Sequence, residues 1–235
     1  MSAARSSVVS WSALMKRPHH GDIVRFDEWS STYDRSPGQY FFGRVHRPVV
    51  EAVCSGRVPP RRVVDLGCGT GRLLEALLPR LTEAELIGVD PAKGMIAVAR
   101  TRFAGEPRVR LEVTTADHLP LADASVDVAT TTMSFHHWDQ QDAALREVVR
   151  VLAPAGRLLL ADVLGIGFFG RILRSTRGHH ETGYRDAAEL TLLLRDAGFS
   201  GWRRRRLFWP GIPIYLVEAR RAPSPSVLRA RPGGM

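Results

Sequence analysis

The sequence predicts an α/β protein built on a mostly parallel sheet, and three observations carry that prediction. Residues Arg62 to Leu78, RVVDLGCGTGRLLEALL, run from a short apolar strand through a glycine turn into leucines at helical spacing. Further short apolar runs follow, separated by segments of helical periodicity, the alternation expected of a parallel sheet with crossover helices. A length of 235 residues suits one sizeable domain with extensions.

In chain order, residues 1–60 carry no sheet pattern and are expected to form a helical extension and lid, with a helix from about Tyr40 through Val53 and Pro59-Pro60 marking the entrance to the core. Val63, Val64 and Leu66 suit a strand buried on both faces. Asp65 interrupts that run, and an unpaired carboxylate there would be costly. Gly67, Gly69 and Gly71 let the backbone turn tightly and approach a ligand. A helix then begins near Thr70 or Gly71, its first N–H groups ready for an anionic group. Leu86 to Asp90 reads as the second strand. Asp90 follows Gly71 by close to the roughly 20 residues expected of a carboxylate that accepts hydrogen bonds from ribose hydroxyls, and Pro91 is expected to start the next helix. Val109 to Val113 is the third strand and Val126 to Thr130 the fourth, leading into TTMSFHHWD. Ala143, Leu145, Val148, Val149 and Leu152 give the next helix its apolar face, the turn Leu152 to Gly156 ends it, and Arg157 to Val163 is the fifth strand. Residues 164–185 form an irregular, glycine-rich insertion. A helix from Asp186 to Ala197 ends at Gly198, and two last strands, near Gly201 to Phe208 and Ile212 to Ala219, close a core spanning 61–222. Residues 223–235 are expected to be a disordered tail.

Composition narrows the function. No apolar run approaches the roughly 20 residues needed to span a bilayer, and the N-terminal segment lacks the sustained apolar stretch of a secretion signal. Cys54 and Cys68 are the only cysteines, and a disulfide at Cys68 would oppose access to the glycine turn. Free thiols in a reducing, cytoplasmic setting are expected, with no zinc-type pairing and no metal. The net charge of +9 is almost wholly arginine, Lys16 and Lys93 being the only lysines, a bias that reads as genomic. A basic surface could attract nucleic acid or an acidic substrate. The densest cluster, Arg203 to Arg206, would alternate faces on a strand and is read as solvated.

Glycine spacing separates two nucleotide devices. Dinucleotide enzymes use G-x-G-x-x-G, whereas Asp65 to Gly71 reads D-x-G-x-G-x-G, which resembles the first motif of class I S-adenosylmethionine-dependent methyltransferases, in the branch that serves quinone biosynthesis and natural products. The resemblance implies a Rossmann-like seven-stranded, mostly parallel sheet with helices on both faces and an antiparallel last strand. It implies S-adenosyl-L-methionine as cofactor, with Gly67, Cys68 and Gly69 around its amino-acid end and Asp65 near its ammonium group. Asp90 and Pro91 follow the second strand in a D-x-S-x-x-M pattern with Ala92 at the usual serine; Met95 would pack on the adenine. Asp117 would accept a hydrogen bond from the adenine amino group, with the backbone around His118 and Leu119 recognising the ring. Met133, at the end of the fourth strand, completes the set. Trp29, Tyr33 and Asp34 match a W-x-x-x-Y-D segment that folds over the cofactor, with Tyr33 a candidate to line the site. At the corner where the family has L-K-P-G-G, Leu152 to Gly156 lacks the lysine and the first glycine.

The implied reaction is methyl transfer to a small-molecule acceptor by in-line displacement. Holding acceptor and methyl in line is worth about 7–11 kcal/mol, and a base is required only when the acceptor must lose a proton. His136 and His137, at the crevice mouth, are the candidates, the alternative being that one of them only shapes the cofactor pocket. His179, His180 and Glu181 of the insertion could instead meet the acceptor; their spacing is nonspecific as a metal site, and a local cap before the Asp186 helix is the plainer reading. A nucleic-acid methyltransferase is the runner-up, supported only by charge, since Thr130 to Met133 lacks the N/D-P-P-Y/F segment that stacks a base and no proline-cysteine nucleophile appears. A non-catalytic S-adenosylmethionine-binding protein is a third reading. The acceptor, the attacked atom and the oligomeric state are left open.

Overall fold

The computed structural model describes residues 20–36, 38–164, 185–207 and 213–223. The expectations placed on most of the insertion, including His179, His180 and Glu181, on Trp209-Pro210-Gly211 and on nearly all of the tail lie outside them. The elements are α1 (His20–Tyr33), α2 (Gly38–Cys54), β1 (Arg62–Leu66), α3 (Arg72–Leu77), β2 (Glu85–Asp90), α4 (Lys93–Arg102), β3 (Val109–Val113), β4 (Val126–Thr132), a 3-10 turn (Phe135–His137), α5 (Gln141–Val151), β5 (Leu152–Val163), α6 (Ala187–Ala197), β6 (Phe199–Arg206) and β7 (Ile214–Arg221).

The strands form one Rossmann-like seven-stranded sheet in the order β3-β2-β1-β4-β5-β7-β6. The first five pair in parallel, and β7 runs antiparallel to both β5 and β6. Consecutive residues of β1 feed opposite cores, as strand alternation requires. Val63 joins a cluster with Val49 and Val53 of α2, Leu74 of α3 and Ile96 of α4, while Val64 joins Leu145 and Val148 of α5 and Leu194 of α6. Helices therefore cover both faces. After β3 the chain crosses back to place β4 beside β1, and that reversal opens a crevice at the carboxyl ends of β1 and β4.

Several boundaries differ from the sequence expectation. Helix α4 starts at Lys93 rather than Pro91, because Asp90 Oδ1 accepts the Ala92 N–H (2.9 Å) and holds Ala92 extended at φ −80°, ψ 110°. The buried face of α5 is Ala144, Leu145, Val148 and Val151, with Ala143 and Val149 only half-buried. Strand β5 begins at Leu152, not Arg157. Leu152 pairs with Val126 and Arg157 with Val128, so the intervening residues bulge outward. Ala155 in that bulge has φ 64°, the left-handed conformation that penalises a Cβ. Ala155→Gly is expected to raise stability by about 0.5–1 kcal/mol, after allowing for the extra freedom glycine gives the unfolded chain; a thermal melt checks it. Strands β6 and β7 lie about two residues from their expected places, with a register shift between Ser200 and Trp202 and Gly201 at φ 66°. Helix α6 is closed by a capping box of Asp186 and Glu189 and by Gly198 at φ 103°. No described helix is long and apolar enough to cross a membrane.

Candidate active site

A cavity of about 390 Å³ opens at the crevice. Its floor is the glycine turn. The Gly67 and Cys68 N–H groups both donate to Val89 O (2.8 and 3.0 Å) and Gly71 N donates to Cys68 O (2.9 Å), so the turn is stitched to the end of β2. Gly67, Gly69 and Gly71 all have positive φ, at 70°, 54° and 83°. A Cβ on Gly67 would lie 1.8 Å from Ser134 Oγ, whereas one on Gly69 would meet no protein atom within 4 Å. Cys68 lines the cavity, and its buried thiol is pushed well up by burial and by the nearby Asp90 and Asp65 carboxylates, so it stays protonated and is no nucleophile.

Asp90 joins this floor to the cavity wall. Its Oδ2 accepts the Gly69 N–H (2.9 Å) while Oδ1 takes that of Ala92, and burial raises its carboxyl to about 6. Asp65 stands behind the turn and outside the cavity lining, accepting a hydrogen bond from Thr130 Oγ1 (2.8 Å); burial raises it to about 7, and the charge of Asp90 adds to the shift. Pro91, Met95 and Asp117 line the next wall. The His118 ring, 81% exposed, points its Nδ1 to Asp117 (3.1 Å). Leu119 is buried in the core with its N–H on Glu147 Oε1 (2.9 Å) and does not line the cavity.

The far wall is Thr132, Met133, Ser134, His137 and Trp138. Met133 has φ 53°, a strained setting for a side-chain-bearing residue. His137 lines the cavity with Nδ1 2.9 Å from Asp22 Oδ2 of α1. His136 does not line it: the residue is buried, with ring Nδ1 2.7 Å from Asp162 Oδ1 and its backbone N–H on Asp162 Oδ2 (3.1 Å). Helix α1 closes one side with Ile23, Phe26 and Tyr33. It is pinned by Asp27 Oδ1, which accepts the Gly94 N–H at the start of α4 (2.6 Å). Just beyond it, Asp34 accepts from Thr70 Oγ1 (2.8 Å), Arg72 Nε (3.2 Å) and Arg102. Trp29 stays off the cavity and packs edge-on against Tyr33, whose hydroxyl burial pushes up.

Residues 64–160 match the family described as "Methyltransferase domain". Over that stretch the chain carries a methyltransferase domain. Among curated relatives, a malonyl-[acyl-carrier protein] O-methyltransferase of Methylococcus capsulatus is 41% identical over 100 residues, covering 43% of this chain and 36% of its own. A demethylmenaquinone methyltransferase of Clavibacter sepedonicus is 34% identical over 154 residues, covering 63% and 60%. The chain thus spans between about a third and three fifths of the length of these two relatives. Among solved structures, a Burkholderia thailandensis 1,6-didemethyltoxoflavin-N1-methyltransferase, with bound 1,6-didemethyltoxoflavin and S-adenosylhomocysteine, superposes with TM-score 0.64 at 21% identity, over 88% of this chain and 91% of that one; that likeness concerns the fold alone.

The cavity of the methyltransferase domain fits its cofactor class. Space is left open above Gly69, where any side chain would intrude, and Asp90 and Asp117 present carboxylates on adjoining walls. Four residues of this constellation were not singled out by sequence: Asp22, Asp162, Thr130 and His46. His46 of α2 lines the cavity and is lowered to about 4 by burial and by Arg72. Asp162 had a legible signal, an acid near the end of a core strand at the crevice, as Asp65 and Asp90 are. Asp22 and His46 had none. Among the described residues no group of His, Cys, Asp and Glu could hold a metal ion.

Proposed function

We propose that this protein transfers a methyl group from S-adenosyl-L-methionine to a small-molecule acceptor by in-line displacement. The observation that carries the reading is the joining of Gly69 and Asp90 by one hydrogen bond at the floor of a single cavity, which gives backbone clearance and a ribose-directed carboxylate in one place. When bound, the cofactor supplies a methyl on a positively charged sulfur, already a good leaving group. Gly67, Cys68 and Gly69 would hold its amino-acid end, Asp90 its ribose hydroxyls, and Asp117 with Pro91, Met95 and the His118 backbone its adenine. Phe26 and Tyr33 of the lid exclude water, and Met133 and His137 face the reacting end. The names of the two relatives, malonyl carrier-protein and demethylmenaquinone methyltransferases, support an acceptor that is not nucleic acid. Within residues 1–60, helices α1 and α2 act as the lid on the core, and the two free cysteines support a cytoplasmic setting.

Calorimetry with S-adenosylhomocysteine, followed by labelled cofactor and small-molecule extract with mass spectrometry of the product, tests this reading. Asp90→Ala removes two backbone partners and the ribose contact, and is expected to weaken binding about 100-fold, given roughly 1.5–3 kcal/mol for hydrogen bonds to a charged group. Wild-type protein that binds no S-adenosylhomocysteine, or a variant that binds as tightly as wild type, overturns it.

A further inference from the structure

Three candidates outside the cofactor contacts have some claim to function. A groove between α2 and α3, lined by Arg47, Arg72, Arg80 and Glu51, is charged on both signs, and its Arg47–Glu51 and Arg72–Glu75 pairs satisfy each other. Of the exposed arginines of β6, Arg203 pairs with Glu218 and Arg204 lies over the Tyr215 ring, and nothing there singles out a ligand. The third candidate, a contact between the lid and the 3-10 turn, carries an inference.

Two histidines and two carboxylates meet at the end of β4. The His136 and His137 rings lie 4.0 Å apart between centroids. Asp162 holds His136 by both ring and backbone, so this imidazole is a fixed wall behind His137. On the other side Phe26 of α1 packs edge-on, 5.3 Å from the His137 ring. Asp22, one turn earlier on α1, reaches Nδ1 of His137 and is itself paired with Arg25 (2.9 Å). A carboxylate on Nδ1 fixes the neutral tautomer with its proton there, leaving the lone pair on Nε2. Asp27 on Gly94 helps hold helix α1 against α4, and the Asp22 contact exists only with α1 docked there.

We infer that Asp22 is the positioning residue that makes His137 the proton acceptor of the transfer, so that the base is complete only when the lid helix lies on the cavity. The inference rests on the methyl-transfer reading and deepens it, because it commits the acceptor to a class: a group that must lose a proton to become nucleophilic, such as a phenol, an enol or an acidic carbon. His137 Nε2 takes the proton from the acceptor X–H. The electron pair left on X forms the bond to the methyl carbon, and the sulfur keeps the pair of the broken S–C bond. The imidazolium that results is ion-paired to Asp22 until its proton leaves to water. Burial, and then the neighbouring His136, lower His137 to about 4, against the opposing pull of Asp22 and Asp162. At neutral pH the ring is therefore uncharged, and the Asp22 hydrogen bond, which pulls its basicity back up against burial, is what favours it as an acceptor.

Nitrogen NMR of histidine-labelled full-length protein, with and without S-adenosylhomocysteine, tests the placement; His137→Gln assigns the signal. The expected result is a neutral ring protonated on Nδ1 in wild type and a mixture of tautomers in Asp22→Asn. Gly94→Ala should give the same mixture without touching either residue, since its Cβ would meet the Asp27 carbonyl at 2.9 Å and lift α1. With labelled cofactor and extract, Asp22→Asn should lower turnover about 100-fold, the lower end of general-base contributions. S-adenosylhomocysteine affinity should be unchanged, and Asp22→Glu should restore part of the rate. A wild-type ring protonated on Nε2, turnover unaffected by Asp22→Asn, or a labelled product methylated on an amine nitrogen overturns the inference. Absence of S-adenosylhomocysteine binding instead counts against the methyl-transfer reading, while the tautomer of the unliganded protein still decides the role of Asp22.

Discussion

Gly67→Ala is expected to abolish cofactor binding and to destabilise the protein by about 2–5 kcal/mol, the sum of a left-handed penalty for alanine and an overpacking cost. The added Cβ would stand 1.8 Å from Ser134 Oγ and 2.6 Å from Ser134 Cβ, with φ held at +70°. Neither atom can retreat freely. Ser134 Oγ accepts from Trp138 Nε1 (3.2 Å) and Ser134 O accepts the His137 N–H (2.9 Å), so a displaced Ser134 drags the histidine turn with it. Gly69→Ala provides the contrast. Its Cβ clashes with nothing, so the fold should survive with only the left-handed penalty, while the new methyl occupies the opening of the cavity and binding is lost. Chemical denaturation and calorimetry with S-adenosylhomocysteine separate the two. Gly67→Ala protein as stable as wild type would show that the turn and the histidine segment are not coupled in this way.

Asp65→Asn should make the protein more stable at alkaline pH, by an amount that disappears in acid. The Asp65 carboxyl is raised from 3.8 to about 7. Between those values the native state binds a proton that the unfolded state has released, so stability falls as pH rises through the window and the loss stays constant above it. Three pK units correspond to on the order of 4 kcal/mol at most, an upper bound because the amide NH₂ must find an acceptor of its own. Asp90, raised from 3.8 to about 6, acts in the same direction. His46 and His137, both lowered from 6.5 to about 4, act oppositely: the unfolded state binds their protons first, so stability rises with pH between 4 and 6.5. Wild-type stability should therefore be nearly flat from about pH 4 to 7. In Asp65→Asn the histidines dominate, and the curve should climb over the same range. Denaturant melts at several pH values check this; parallel curves for the two proteins would show that Asp65 titrates normally.

The parts of the site that sequence revealed are those in which backbone geometry or order along the chain does the work. Gly67, Gly69 and Gly71 are visible because positive φ restricts the residue type, and Asp90 because one β-α-β unit fixes its distance from the turn. Asp65 shared that visibility, yet its carboxyl faces Thr130 behind the turn, a difference of side-chain direction that spacing does not encode. Partners far apart in the chain had no local signature. Asp22 and His137 are separated by 115 positions, and α1 lies where it does because Gly94 lets it approach. The pairing of His136 with Asp162 likewise depends on β5 lying beside β4. The start of β5 at Leu152 is hidden in the sequence because Pro154-Ala155-Gly156 has turn composition, while its pairing with Val126 lies outside the segment itself.

Strand β6 ends one side of the sheet, and among the described residues only β7 pairs with it. An open strand edge is a template for a second molecule, and such contacts grow into aggregates. Arg203 to Arg206 occupy four successive positions on that edge, and all are exposed. Because they alternate faces, any copy approaching edge to edge brings guanidinium groups against guanidinium groups above and below the sheet. The run of arginines thus works as a solubility device, strongest in dilute buffer and weakened as added salt shortens the reach of the repulsion.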